Sequence, residues 1–288
     1  MPRKRAIRNK YAILLRAVVV TFIAVLSAVE LPKFWTEDDG FAFYAFDVGQ
    51  ADAFLFHLPE GENILIDAGT RQAGPGLVSR LKRLGVNKID IAVATHPHED
   101  HIGGMVHVLR AFPVGKFWDS GYNHGSETQR DMLAALRDKR IPYTRPKAGF
   151  KETIGGVSIE VLAPVKQIRG SESDANNNSV VLRVAYGNVS FLMTGDMERE
   201  ERRSVGKFPR ANVLKLAHHG SSNGSDEKML REVSPDVVIL SYGRGNSYGH
   251  PHPEVTALIR KFGPRSYATE GGEIKITTDG RSLRVRQR

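Results

Sequence analysis

Ile89-Asp90-Ile91-Ala92-Val93-Ala94 runs straight into Thr95-His96-Pro97-His98-Glu99-Asp100-His101-Ile102-Gly103-Gly104. The first six residues are short, apolar and β-branched and are bounded by polar positions, the pattern of a buried strand. Candidate metal ligands begin where that strand stops. Side chains at i and i+2 of an extended chain point the same way, so His96 and His98 can converge on one ion while Pro97 stiffens the backbone between them. Asp100 and His101, one turn further on, can face a second ion. Gly103 and Gly104 let the chain turn closely past the site before the apolar residues 105–109 continue as a helix. Neutral imidazole and carboxylate suit zinc and similar first-row ions.

Such a site needs further ligands, and the chain offers them at similar places. Ser190-Phe191-Leu192-Met193-Thr194-Gly195-Asp196 is an apolar strand ending in Gly-Asp, which puts a carboxylate where it could bridge two cations. Val213-Leu214-Lys215-Leu216-Ala217-His218-His219-Gly220-Ser221 repeats the design with imidazoles. Alone, these would read as a turn aspartate and a pair of loop histidines; beside the first cluster they become candidate ligands.

The order His-x-His-x-Asp-His, Gly-Asp, then His after strands resembles the metallo-β-lactamase superfamily. Phe46-Asp47-Val48-Gly49-Gln50-Ala51-Asp52-Ala53, Ile64-Leu65-Ile66-Asp67-Ala68-Gly69, Asn176-Asn177-Asn178-Ser179, Ala217-His218-His219-Gly220-Ser221 and Tyr248-Gly249-His250-Pro251 narrow the likeness to the C-terminal hydrolase domain of ComEC, the competence DNA-uptake channel. It runs from about residue 41 to the end. The resemblance implies an αβ/βα four-layer sandwich of the α/β class, with two divalent ions, Zn²⁺ or Mn²⁺, at one edge. By the same resemblance His96 and His98 bind the first ion, Asp100 and His101 the second, and Asp196 bridges them. One of His218 and His219 completes the second ion's shell, and the sequence leaves open which. Asp67 orients a ligand histidine through its other ring nitrogen, as such sites require, with Asp47, Asn176 and Ser179 in supporting positions. Asp100 and His250 carry catalytic roles, His250 at the mouth polarising or protonating the substrate.

Two departures stand out. Most superfamily enzymes place a third histidine on the first metal before Gly-Asp, where this chain has Asn176, Asn177, Asn178 and Ser179, a pattern that ComEC-like sequences share. Amides are weaker ligands, which implies a loosely held first metal. Ala51 stands where the branch usually has Gly, a change expected to affect only packing. A bridged pair of ions about 3.5–4 Å apart lowers the pKa of the water between them and stabilises an anionic in-line transition state, so no Ser or Cys nucleophile is needed. Phosphodiesters suit this chemistry best, while esters, thioesters and lactams remain open to it. Lys215 reads as a solvent-facing strand residue, and His57, His107, His124 and His252 as surface or packing residues. Trp35 and Trp118 give no aromatic ladder for stacking bases.

Arg3, Lys4, Arg5, Arg8 and Lys10 precede the apolar residues 11–29, which Arg16 interrupts. The uninterrupted residues 17–29 are nearer a signal-peptide core than a spanning helix of about 20 residues. The basic flank keeps that end in the cytoplasm, so residues 1–29 read as a signal peptide or membrane anchor and residues 41–288 as an exported hydrolase domain, periplasmic, extracellular or tethered to the membrane. That segment holds six Lys+Arg and no acidic residue, so the formal charge of +9 falls to +3 on the remainder. A mildly basic domain weakens any inference to nucleic acid from charge alone, although bound dications and Arg281, Arg284, Arg286 and Arg288 favour an anionic substrate locally.

About 250 residues suit one α/β core. The chain has no cysteine, so neither disulfides nor thiolate ligands contribute. Strands over residues 41–46, 53–57 and 63–66 come first; helical patterns cover 76–84, 127–139 and 253–262, the last opening with Pro. Residues 171–178 read as a polar loop over the site, and the tail as an edge strand with an arginine face. Two function classes remain: an exported metal-dependent hydrolase of phosphodiesters, nucleic acid among them, and an accessory partner of DNA uptake that binds without turnover. Ligand completeness favours the enzyme. A lactamase or thioesterase is the competing chemistry, and dedicated lactamases usually keep the third histidine.

Overall fold

The computed structural model describes residues 40–288; the expected leader lies outside them. Among the described residues no helix is long and apolar enough to cross a membrane.

The chain lays down β1 (Phe41–Ala45), β2 (Phe54–His57), β3 (Asn63–Ile66), β4 (Ile89–Ala94), β5 (Val114–Asp119) and β6 (Tyr143–Thr144) in one sheet. A second sheet takes β7 (Lys151–Ile154), β8 (Val157–Ala163), β9 (Val181–Tyr186), β10 (Val189–Met193), β11 (Val213–Lys215), β12 (Val237–Leu240) and β13 (Arg265–Ala268), after which β14 (Ile274–Thr278) and β15 (Leu283–Gln287) return to the first. The first sheet has the order β15-β14-β1-β2-β3-β4-β5-β6 and the second β13-β12-β11-β10-β9-β8-β7.

Strand alternation builds the layers. Phe41, Phe43 and Ala45 point between the sheets, while Ala42 and Tyr44 point outward under helices. Phe43 and Phe56 meet Phe191 of the opposite sheet at ring-centroid distances of 5.2 and 5.3 Å. Each such buried ring contributes about 1.5–3 kcal/mol through removal from water. Helices α1 (Gly74–Arg83), α3 (Met105–Ala111) and α4 (Glu127–Asp138) supply Leu77, Leu81, Met105, Leu109, Met132 and Leu136 to the outer face of the first sheet. The short helix α2 (Glu99–Ile102) lies between α1 and α3 in sequence. Helices α6 (Glu227–Val233) and α7 (Pro253–Phe262) cover the second sheet with Met229, Leu230 and Val255, and α5 (Arg199–Val205) precedes them. The helix starts follow local rules: Ser126 accepts from Gln129 N–H and Asp226 from Met229 N–H, and Pro253 opens its helix. The result is the αβ/βα four-layer sandwich. β15 is an edge strand whose Arg284 and Arg286 are exposed.

Strand direction places the site. β3 and β4 run parallel in one sheet, and β10, β11 and β12 run parallel in the other. Their C-terminal ends therefore gather five chain segments at one edge, each free of ladder hydrogen bonds and able to present side chains.

Candidate metal centre

β4 ends in Thr95, a buried hub. Thr95 N–H donates to Asp67 Oδ1 and Thr95 Oγ1 to Asp67 Oδ2, both at 2.8 Å. Asp67 Oδ2 in turn lies 2.8 Å from His101 Nδ1. A carboxylate that accepts at Nδ1 leaves Nε2 as the free nitrogen of His101. That Nε2 is buried with no hydrogen-bond partner, 3.2 Å from Asp196 Oδ2 and 3.7 Å from Asp100 Oδ2. His219 is set in the same way: its Nδ1 lies 2.7 Å from the Ser241 carbonyl, which can only accept, and its Nε2 lies 3.2 Å from Asp100 Oδ2 and 3.4 Å from Asp196 Oδ2. Donor atoms of Asp100, His101, Asp196 and His219 all lie within 4.8 Å of one another.

Facing this group, His96 Nε2 lies 3.1 Å from His98 Nδ1 and 3.9 Å from Asp196 Oδ2, and His218 Nε2 lies 3.8 Å from the same oxygen. Asp196 thus stands between two sets of imidazoles. Its backbone N–H donates to Ser179 Oγ at 3.2 Å. The turns that present these groups are tight. Asp67, His218 and His219 have φ of 57°, 50° and 52°, left-handed values that cost a non-glycine residue about 1–3 kcal/mol and cluster at functional sites. At Gly104 a side chain would run into the Ala68 carbonyl oxygen, so only glycine lets the loop after the ligands pass β3's tip.

Charge is concentrated beneath the ligands. Lys215 is fully buried, its Nζ 2.5 Å from Asp52 Oδ2, 2.7 Å from the Gly195 carbonyl and 3.4 Å from Asp196 Oδ1. Asp52 Oδ1 lies 3.3 Å from His219 Nδ1. Burial works against the charge on Asp196, but His219, His101 and Lys215 outweigh it and hold that carboxyl well below the usual range. Burial likewise opposes protonation of His101 and His219, and the surrounding carboxylates, Asp196 foremost, push both well above an ordinary imidazole. His96 moves the other way, lowered by burial and by neighbouring His101. Five carboxylates (Asp52, Asp67, Asp100, Asp196 and Glu198) lie within 4 Å of the centre's imidazoles and face one ammonium, so with neutral imidazoles the centre carries a formal −4. Together with the unpartnered His101 Nε2, that excess fits divalent cations.

His250 lies beside the two consecutive histidines, its ring centroid 5.7 Å from that of His218 and 6.2 Å from that of His219. Gly243 N–H donates to Gln50 Oε1 at 3.0 Å, which fixes the amide, and Gln50 Nε2 donates to His250 Nδ1 at 3.2 Å. Neutral His250 therefore carries its proton on Nε2. Burial and the nearby His218 and His219 lower its pKa to about 4.

Several expectations need correction. Lys215 is not solvent-facing but the buried counter-charge of the centre. Asp47, expected in a supporting position, instead accepts from Gly49 N–H at 3.2 Å in a turn, and its carbonyl accepts from Arg80. Two of the asparagines are committed elsewhere, Asn178 to the Ile168 and Asp174 carbonyls and Asn177 to Glu201 N–H and Glu198, whereas Asn176 donates to Glu198 at 2.8 Å and keeps a buried Oδ1 with no hydrogen-bond partner. Within the expected loop of residues 171–178, residues 176–178 form a short 3-10 turn with all three side chains buried. Sequence reasoning missed Asp52, Gln50 and Glu198, of which the first two lie in the Gly49-Gln50-Ala51-Asp52 stretch. Of the histidines set aside, His57 bonds Asn63 at 2.8 Å, His252 bonds Ser222 N–H at 3.0 Å, and His124 lies 5.3 Å from the His98 ring.

A two-sheet sandwich with histidines and aspartates on strand tips is a metallo-β-lactamase arrangement, and residues 46–244 match that superfamily directly; the chain belongs to it. It is similar to ComE operon protein 3 of Bacillus subtilis (28% identity, 78% of this chain and 31% of the relative) and to competence protein ComA of Neisseria gonorrhoeae (30%, 80% and 31%). Recombination protein 2 of Haemophilus influenzae is 30% identical over 75% of this chain and 26% of its own length. The resemblance to ComEC-type proteins stands on these relatives, of which the chain spans a third or less. The fold is shared with CmlA, a diiron β-hydroxylase from Streptomyces venezuelae (TM-score 0.57, 12% identity, 87% of this chain and 55% of that one), and with the metallo-β-lactamase fold protein YhfI from Bacillus subtilis (0.50, 13%, 79% and 96%).

Proposed function

We propose that the chain is a two-metal phosphodiesterase acting on an anionic substrate, nucleic acid in particular, and that residues 1–29 deliver it across or tether it to a membrane. One observation carries the reading: Nε2 atoms of His101, His219, His218 and His96 surround Asp196 Oδ2 at 3.2, 3.4, 3.8 and 3.9 Å. Asp196 would bridge, with His96 and His98 on one side and Asp100, His101 and His219 on the other. When bound, the ions, Zn²⁺ or Mn²⁺, supply Lewis acidity and an acidified water. The residues of the chain do the rest. Asp67 and the Ser241 carbonyl fix which ring nitrogen of His101 and His219 is free. His250, with Gln50 holding its Nδ1, presents an Nε2–H to a phosphoryl or leaving oxygen at the mouth. Relatives named for competence and recombination support nucleic acid as the substrate class.

The test is metal content of the purified chain together with hydrolysis of bis(p-nitrophenyl) phosphate, single-stranded DNA and a chromogenic lactam in added Zn²⁺ or Mn²⁺. Phosphodiester cleavage should disappear in Asp196→Ala, and His250→Ala should lower turnover while metal content is kept. Residual cleavage in Asp196→Ala sinks the mechanism, loss of metal in His250→Ala reassigns that residue, and full metal with no turnover on any substrate moves the chain to the accessory-binding class.

A further inference from the structure

The first metal's side lacks the third histidine that the superfamily usually supplies; Asn177 and Asn178 have their amides engaged elsewhere, and Asn176 donates to Glu198 with its Oδ1 buried and unpartnered, so the choice lies between that oxygen and an imidazole. We propose that His218, held by Glu198, is the missing third imidazole of the first metal, so that the consecutive His218 and His219 serve one ion each. This rests on the two-metal reading above.

The assignment follows from which nitrogen of each ring is occupied. His219 is committed to the second group through Asp100, 3.2 Å from its Nε2. His218 turns the other way. Its Nδ1 lies 3.2 Å from Glu198 Oε1 and 3.2 Å from Asn223 Oδ1, so Nδ1 is the held nitrogen and Nε2 is free, 3.8 Å from Asp196 Oδ2. His96 Nε2 sits at nearly the same distance, 3.9 Å, from that oxygen. Two ligands at ordinary metal–nitrogen and metal–oxygen distances on a tetrahedral ion are about 3.4 Å apart, so both rings need only a small inward movement to share an ion with Asp196. A carboxylate behind a ligand histidine is the usual means of setting its tautomer and orientation.

Glu198 is itself anchored by the segment that replaces the usual histidine. Its Oε1 accepts from Asn176 at 2.8 Å and its Oε2 from Asn177 at 3.3 Å, and the side chain is buried. The asparagines then act at one remove: they hold the carboxylate that holds His218. Both histidines have left-handed backbone, φ 50° and 52°, and their adjacent rings stand 6.1 Å apart at an interplanar angle of 61°.

Metal uptake by the full chain, measured by elemental analysis and by Mn²⁺ and Co²⁺ titration, decides the matter. Wild type should take up two equivalents; His218→Ala should keep one and lose the other, with an unchanged far-ultraviolet dichroism spectrum. Glu198→Gln, a milder change, should weaken one equivalent about 10–100-fold and leave the second as in wild type. Two equivalents at unchanged affinity in His218→Ala would overturn the assignment, as would loss of an equivalent in Asn176→Ala but not in His218→Ala, which would make the amide the ligand. Fewer than two equivalents in the wild type would instead remove the two-metal reading and this assignment with it.

Discussion

Lys215→Met removes the single ammonium beneath the centre while keeping a side chain of similar length. Lys215 Nζ makes three contacts, with Asp52 at 2.5 Å, the Gly195 carbonyl at 2.7 Å and Asp196 at 3.4 Å, and both carboxylates are essentially shut off from solvent. Truncating one partner of a buried ion pair leaves the other charge uncompensated, a loss of about 3–5 kcal/mol. For a domain of this size each kcal/mol moves the melting temperature by about 2–4 °C, so a drop of about 6–20 °C is expected. Unfolding should be followed in chelator, where no dication can stand in for the missing charge. Adding Asp52→Asn to Lys215→Met should recover more than half of the loss, because the neutral amide removes the orphaned charge. A loss below about 1 kcal/mol in chelator, or no recovery in the double variant, would refute this account of the lysine.

Two further variants probe the support of the centre. Gly104→Ala drives a methyl group into the Ala68 carbonyl oxygen and should cost about 1–3 kcal/mol in urea unfolding, with weaker metal uptake; wild-type stability would show that the loop yields freely. Glu201 is buried, and burial pushes its carboxyl well above the ordinary value of 4.5 although Ser179 N–H opposes this. Between 4.5 and the raised folded-state value the folded chain holds the proton more tightly than the unfolded one, so stability falls as pH rises through that window. Glu201→Gln removes that slope: its melting temperature relative to wild type should climb as pH rises above 4.5 through that window, and parallel profiles would contradict the burial argument.

The sandwich was legible because apolar runs with strand-like period end abruptly in ligands, as at Ala94 before Thr95-His96 and at Met193 before Gly195-Asp196. Helix starts were legible from Pro253 and from the pattern after Ser126. Lys215 was not, and the reason is the sheet. β11 is a central parallel strand with all three residues buried, covered on one face by the opposite sheet and on the other by helices, so alternation there assigns no position to solvent. A lysine survives in such a strand only if carboxylates from elsewhere reach it, and Asp52 lies 163 positions away. Glu198 escaped notice for a related reason. A glutamate two residues beyond Asp196 looks like a helix-start acid, and its partner His218 is twenty positions further on, joined only once β10 and β11 pair. Asp47 goes the opposite way, its carboxylate serving Gly49 N–H two residues on in a local turn.

The donors on Asp196's two sides do not come from one sheet. Residues 96–101 hang from β4 of the first sheet, and Asp196, His218 and His219 from β10 and β11 of the second, so an ion gripped by both is a rivet through the interface between halves of the chain. His219 reaches Asp100 across 119 positions. Neither half offers a complete coordination shell before the layers dock, and whatever free energy the ions gain on binding is returned as cohesion between those layers. If ions bind there as proposed, occupancy and docking are two readings of one equilibrium.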